Sequence, residues 1–156
     1  MIVVHLGAPT VNARDITIPF TSYILNVAAS ELYPTWPKNA LIANIYAIIS
    51  FTMNRLYNEW YKSKGYNFDV TSLPAYDQTY TENRSTYENI DNIVQEIFNN
   101  YVIKGDSIQP YFTSYCDGRK TTCNGLSQWG TVSLSNQGKT PLQILKYYYG
   151  NDISIK

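Results

Sequence analysis

Two prolines three residues apart, Pro34 and Pro37, stand between two apolar helical repeats. A proline lacks the backbone N–H and clashes with the preceding turn, so one helix cannot run through both. Before them, Phe20, Ile24, Val27 and Ala28 recur at helical spacing, which predicts a helix from about Phe20 to Ser30, with Pro19 at its first position and Glu31 at its end. After them, Leu41, Ile45, Ile48, Thr52 and Leu56 form one stripe between Lys38 and about Lys64, with Ala40, Ala43, Ala47 and Phe51 beside it. That surface is too wide for one face, so this segment predicts a central helix whose first half crosses the core. Its second half turns polar at Asn54, Arg55, Asn58, Glu59 and Lys62, Gly65 supplies a stop, and Thr35 is a candidate N-cap.

Glu31 is the chemically notable residue of this helix–corner–helix unit. A carboxylate fixed beside Leu32, Tyr33 and Trp36 loses water, which disfavours its charged form and suits it to donate a proton near neutral pH. The alternative is an ordinary solvated Glu at a helix end.

The 156 residues, 44% of them hydrophobic, are enough for one domain with a real core. Twelve basic and twelve acidic residues balance, and no basic run offers the counterion release on which nucleic-acid binding depends. No stretch reaches the ~18 apolar residues of a membrane span. Fifteen tyrosines supply rings with an apolar face and a polar tip, suited to sugars and to half-buried packing alike. Because Met1 runs directly into the strand-like Ile2-Val3-Val4-His5-Leu6, the chain reads as a domain excised from a longer protein whose targeting segment lies elsewhere. Cys116 and Cys123 are close enough to bridge locally.

Elsewhere, Ile2–Leu6, Ile16–Ile18, Phe68–Val70 and Ile153–Ile155 read as short strands, and Tyr87–Tyr101 as an amphipathic helix. Val102-Ile103 and Ile108–Tyr115 around Lys104-Gly105-Asp106 give a hairpin signal. A helix from about Ser127 to Gln137 and another opened by Thr140-Pro141 and running to Tyr149 complete the order. Strands, helices, a hairpin and further helices, without strict alternation, point to an α+β domain.

Several separated motifs resemble one family, the SpoIID/LytB domain of peptidoglycan-acting sporulation proteins. Pro19 to Arg55 resembles its proline-led helix, Glu, Trp-Pro corner and Ala-rich helix, and Asp77-Gln78-Thr79-Tyr80 its Gln-x-Tyr loop. Tyr111-Phe112-Thr113-Ser114 with Gly118 resembles its aromatic strand. Gly125-Leu126-Ser127-Gln128-Trp129-Gly130 followed by Ile144-Leu145-Lys146-Tyr147-Tyr148-Tyr149-Gly150 is the most specific match. Within the family, the lead-in strand, the Tyr-Pro-Thr-Trp-Pro corner and the Cys116-Asp117-Gly118 turn look most like the catalytic domain of clostridial spore cortex-lytic enzymes.

The resemblance implies a single domain over residues 1–156 with a small antiparallel sheet and an open substrate groove, and the broad apolar first half of the central helix, which needs cover from both sides, makes that helix the expected floor beneath Glu31. It implies a lytic transglycosylase that cleaves between N-acetylmuramic acid and N-acetylglucosamine, leaves a 1,6-anhydro end, and acts outside the cytoplasm on wall or cortex, as a monomer without cofactor or metal. The family's acid falls on Glu31, and Gln78, Tyr80, Ser114, Ser127 and Gln128 are the implied substrate-binding residues. Asp77 and Asp117 read as turn stabilisers or sugar ligands. For Cys116 and Cys123 the resemblance favours a disulfide over free thiols, and zinc comes last because His5 is the sole histidine. The rival reading is a non-catalytic glycan-binding or amidase-enhancing module, supported by Ile49 standing where many relatives carry an Arg.

Overall fold

The axis of the molecule is α2, Lys38–Tyr57, whose residues between Ala40 and Arg55 are buried on nearly every side. The computed structural model describes residues Met1–Lys156. Around α2 pack α1 (Phe20–Glu31), α3 (Glu88–Ile97), α4 (Gln128–Asn136) and α5 (Pro141–Tyr149). The alanines at 40, 43 and 47 allow this close approach, and Leu41, Ile45, Ile48 and Ile49 fill the space between α1 and α3. The result is the expected α+β class.

Three small sheets flank the helices. β1 (Ile2–His5) pairs antiparallel with β2 (Asp15–Ile18) and parallel with β3 (Val70–Thr71), giving the order β2-β1-β3. The pair Val4↔Val70 places two fully buried side chains against the core of α1 and α2. β4 (Val102–Lys104) pairs with β7 (Ile153–Ile155), and β5 (Tyr115–Cys116) pairs parallel with β6 (Leu126–Ser127).

Burying a polar group is tolerable only when it is hydrogen-bonded, and α2 shows how its polar residues are accommodated. Asn44 Nδ2 donates to Ala40 O and to Thr131 Oγ1, both at 2.8 Å, tying α2 to α4. Ser50 Oγ accepts from the Val102 N–H at 2.6 Å, and Asn54 Nδ2 donates to Pro110 O at 2.9 Å. Arg55, in the half of the helix that turns polar in sequence, is buried and pairs with Asp77 at 2.8 Å.

Five local expectations are corrected. The central helix stops at Tyr57 rather than near Lys64, because Glu59 turns into the left-handed region at φ 47° and a short 3-10 turn, Lys62–Lys64, follows. Pro37, not Thr35, occupies the cap position of α2, and Pro19 is likewise the cap of α1 rather than its first residue. The third strand lies at Val70–Thr71, just beyond the predicted Phe68–Val70. The hairpin does not form: Gly105 makes its turn at φ 56°, but the strand paired with β4 is the C-terminal β7. Residues 108–114 keep only the Tyr111 N–H to Val102 O bond of that pairing.

Candidate active site

Glu31 is the last residue of α1, and the chain leaves it extended at Leu32, which is buried together with Trp36. With the corner pinned on both sides, the carboxyl group points toward three other segments. Its Oε2 accepts the Thr79 N–H at 2.9 Å. Its Oε1 accepts the Tyr115 hydroxyl at 2.7 Å and Gln128 Nε2 at 3.3 Å. A half-buried carboxyl is thus held by donors from the loop after β3, from β5 and from the first turn of α4.

Burial raises the Glu31 carboxyl to a pKa of about 7, while the bonds from Thr79, Tyr115 and Gln128 hold it down. Desolvation wins that contest. Near neutral pH the group is therefore divided between acid and carboxylate, the condition an acid that must afterwards act as a base requires. Tyr115 is itself pushed well above the ordinary tyrosine range by burial and by Glu31, so it stays a neutral hydroxyl donor.

Of the six residues singled out from sequence, the structure brings Glu31 and Gln128 into direct contact. Ser127 is next to Gln128 and caps α4, its Oγ accepting the Gly130 N–H at 3.0 Å. Tyr80 is half-buried, one residue beyond Thr79, with its ring 5.8 Å from and nearly parallel to that of Tyr23. Ser114 precedes Tyr115, and its carbonyl accepts Leu126 N–H at 3.0 Å and the Tyr149 hydroxyl at 2.8 Å. Gln78 is the exception. It is 0% exposed, and its amide is used internally by Thr52 Oγ1 (2.7 Å), Tyr23 Oη (3.1 Å) and Ile48 O (3.1 Å). It braces the loop that carries Thr79 to α2, and no sugar reaches it.

Thr79 and Tyr115 are the contacts missing from the sequence reading. Thr79 acts through its backbone, which leaves no side-chain signal. Tyr115 directly follows Tyr111-Phe112-Thr113-Ser114, so the resemblance in that segment stops one residue short of it.

The neighbouring acids have structural work. Asp77 accepts from Arg55, from the Tyr61 hydroxyl at 2.7 Å and from the Thr71 N–H and Oγ1 at 2.8 Å. Asp117 accepts the N–H groups of Thr121, Arg119 and Lys120, which lower its carboxyl to about 2. That turn is closed by a Cys116–Cys123 disulfide. Arg119, on the turn, lies 3.5 Å over the ring of Trp129, which contacts Trp36 and the exposed Tyr33. An aromatic patch with a cationic rim therefore adjoins Gln128. Gly130 lets α4 approach α5 here, because a Cβ would overlap the Tyr148 hydroxyl.

His5 is buried in the first sheet and makes no bond to Glu31 or its donors, with Nδ1 2.6 Å from Asp15 and Nε2 3.0 and 2.9 Å from Ala8 O and Val11 O. Ile49 is fully buried in the core between α1 and α3, so its identity does not alter the polar surface around Glu31. Surface concavities of about 240 Å³ at Trp36 and Asn89 and about 610 Å³ at Trp60 and Phe112 are not lined by Glu31.

Comparison with known families finds that the SpoIID model, described as Stage II sporulation protein, matches residues 12–102. The matched span contains Glu31, Thr79 and Tyr80 and ends before Tyr115 and Gln128. No curated protein matches the chain.

Proposed function

Because this chain belongs to the SpoIID family of stage II sporulation proteins, which ties it to sporulation and the cell wall, we propose that it is a peptidoglycan lytic transglycosylase with Glu31 as its acid and base. The observation that carries the reading is the half-buried Glu31 carboxyl, poised near a pKa of 7 and aimed by Thr79, Tyr115 and Gln128.

The reaction needs one group in two states. Protonated Glu31 gives its proton to the oxygen between N-acetylmuramic acid and N-acetylglucosamine, and the bond from that oxygen to the muramyl C1 breaks. The resulting carboxylate takes the proton from the muramyl C6 hydroxyl, whose oxygen bonds to C1. The products are a 1,6-anhydromuramyl end and a free 4-hydroxyl, Glu31 regains its proton, and no water is consumed. A hydrolase would ordinarily use a second carboxyl group, roughly 5 to 9 Å away. The two acids beside matched motifs, Asp77 and Asp117, are committed to Arg55 and to a turn.

In this reading Gln128, Ser127, Tyr80 and the Tyr33–Trp129 patch contact the glycan, and residues 1–156 act as one monomeric catalytic domain outside the cytoplasm. No helix is long and apolar enough to cross a membrane. The Tyr-Pro-Thr-Trp-Pro corner and the Cys116-Asp117-Gly118 turn, which resemble those of clostridial cortex-lytic enzymes in sequence, favour spore cortex as the substrate. The test is the pH profile of glycan release. Cleavage that requires the protonated acid falls as pH rises through about 7, the Glu31 value, and a profile flat through that region would contradict the assignment.

A further inference from the structure

The buried Gln78 side chain meets α1 through Tyr23 and α2 through Ile48 and Thr52, and one main-chain atom fixes the direction of all these bonds. Ile48 O can only accept, so the end of the amide 3.1 Å from it is the NH2 group. The other end, Oε1, then faces Tyr23 Oη at 3.1 Å and Thr52 Oγ1 at 2.7 Å, and both hydroxyls turn their hydrogens toward it. Thr52 Oγ1 also lies 2.8 Å from Ile48 O, a second acceptor, so it donates in either direction. Tyr23 keeps its hydrogen, because burial, then the charges of Asp77 and Glu31, push its hydroxyl well above the ordinary tyrosine range.

One N–H of that amide serves Ile48 O, and the second is donated to the Tyr115 hydroxyl, which burial and Glu31 raise and this bond lowers. An oxygen that has accepted this N–H must place its single hydrogen elsewhere, and Glu31 Oε1 is 2.7 Å away. We infer that Gln78 is a positioning residue, which holds Tyr115 as a donor to Glu31 in both charge states of the carboxyl. A tyrosine hydroxyl left to itself is reversible: it donates to a carboxylate and equally accepts from a carboxylic acid. Gln78 removes the second option. The proton of neutral Glu31 is then kept out of a buried bond to Tyr115 and stays transferable.

The chemistry of an amide suits this place. One end must accept from two hydroxyls while the other donates to a carbonyl and to a phenol oxygen, and among side chains only Asn and Gln carry both ends. A Glu here would turn an oxygen toward Ile48 O. Because Ile48 lies within α2, the network is referenced to the main chain of the central helix rather than to another rotatable group. Fully satisfied networks of this kind are rigid, which is what a group that must donate in one direction requires. The inference deepens the reading of Glu31 as acid and base and rests on it.

The test is a double-mutant cycle read on the Glu31 titration by NMR of the labelled carboxyl carbon. Gln78→Met removes the amide and should move the titration upward, by less than Tyr115→Phe does, because a tyrosine free to turn stabilises the carboxylate less. In the Tyr115→Phe background the same substitution should move it no further. An unmoved titration in the single variant, or a shift undiminished in the Tyr115→Phe background, overturns the role, since a brace acting only through the Thr79 loop would not need Tyr115. Should Gln78→Met not fold, neutron diffraction from deuterium-exchanged wild-type crystals, below the Glu31 value of about 7, decides the matter. The Tyr115 deuteron should point at Glu31 Oε1 and a Gln78 amide deuteron at Tyr115 Oη, and a Tyr115 deuteron pointing anywhere else overturns the inference. Neither readout uses turnover, so the two readings fail separately. A coupled titration without anhydro ends would leave the bond direction without the proposed activity, whereas anhydro ends with an uncoupled titration would leave the activity without this role for Gln78.

Discussion

Tyr115 donates its hydroxyl to Glu31 Oε1 across 2.7 Å, joining the end of α1 to a strand 84 residues further along the chain. This bond stabilises the carboxylate and so lowers the Glu31 pKa against the opposing effect of burial. Tyr115→Phe should therefore move Glu31 titration upward, measured by NMR of the labelled carboxyl carbon. Above the wild-type pKa the variant should also lose about 1.5 to 3 kcal/mol of stability, the usual range for a hydrogen bond to a charged group. An unmoved titration would mean that the hydroxyl does not aim at the carboxylate in solution.

Glu31 also sets a pH dependence of stability. Its folded pKa of about 7 exceeds the ordinary 4.5, so between these values the folded protein holds a proton that the unfolded chain has released. Stability is then full below about 4.5 and declines as pH rises to about 7, by on the order of 2 to 3 kcal/mol. Glu31→Gln should remove this decline and be the more stable protein above pH 7. Urea unfolding of both proteins across that range measures it, and parallel curves would contradict the raised value.

The Arg55–Asp77 pair is buried, and Asp77 also anchors Tyr61 and Thr71. Removing one charge strands the other, so Asp77→Ala should cost about 3 to 5 kcal/mol, read as a drop in the urea midpoint. A loss under 1 kcal/mol would show that Arg55 finds water or another acceptor.

How far these features were legible in the sequence depends on how local their cause is. The α1–corner–α2 unit was legible because periodicity and two prolines act within a few residues, and the same signals put Glu31 at a helix end. The Gly105 turn was legible too, but a turn does not name its strand partner: β4 takes β7 on one edge, while on the other the Val102 N–H goes to Ser50 Oγ and only the Val102 carbonyl meets Tyr111. The burial of Arg55 within the polar half of α2 was not legible, because its partner Asp77 is 22 positions away on a loop. Gln78 looked like groove lining because it sits in a polar, aromatic loop, whereas bonds donated by Tyr23 and Thr52 and one accepted by Ile48 O draw its amide inside. Long-range pairing of polar groups leaves no periodic trace.

The Cys116–Cys123 bridge closes the turn that places Arg119 over Trp129. Replacing both cysteines with serine should cost roughly 2 to 3 kcal/mol, as expected for a short closed loop, and should broaden the Trp129 indole signal. Alkylation of the native protein followed by intact-mass measurement checks the bridge itself, and two freely reacting thiols would contradict it.

The most direct measurement is mass spectrometry of glycan ends after digestion of purified peptidoglycan with the wild-type domain and with Glu31→Gln. The account predicts 1,6-anhydromuramyl ends from the wild type, and none above background from a variant that remains folded by circular dichroism. Reducing ends in place of anhydro ends, or anhydro ends from the Gln variant at the wild-type rate, would contradict it.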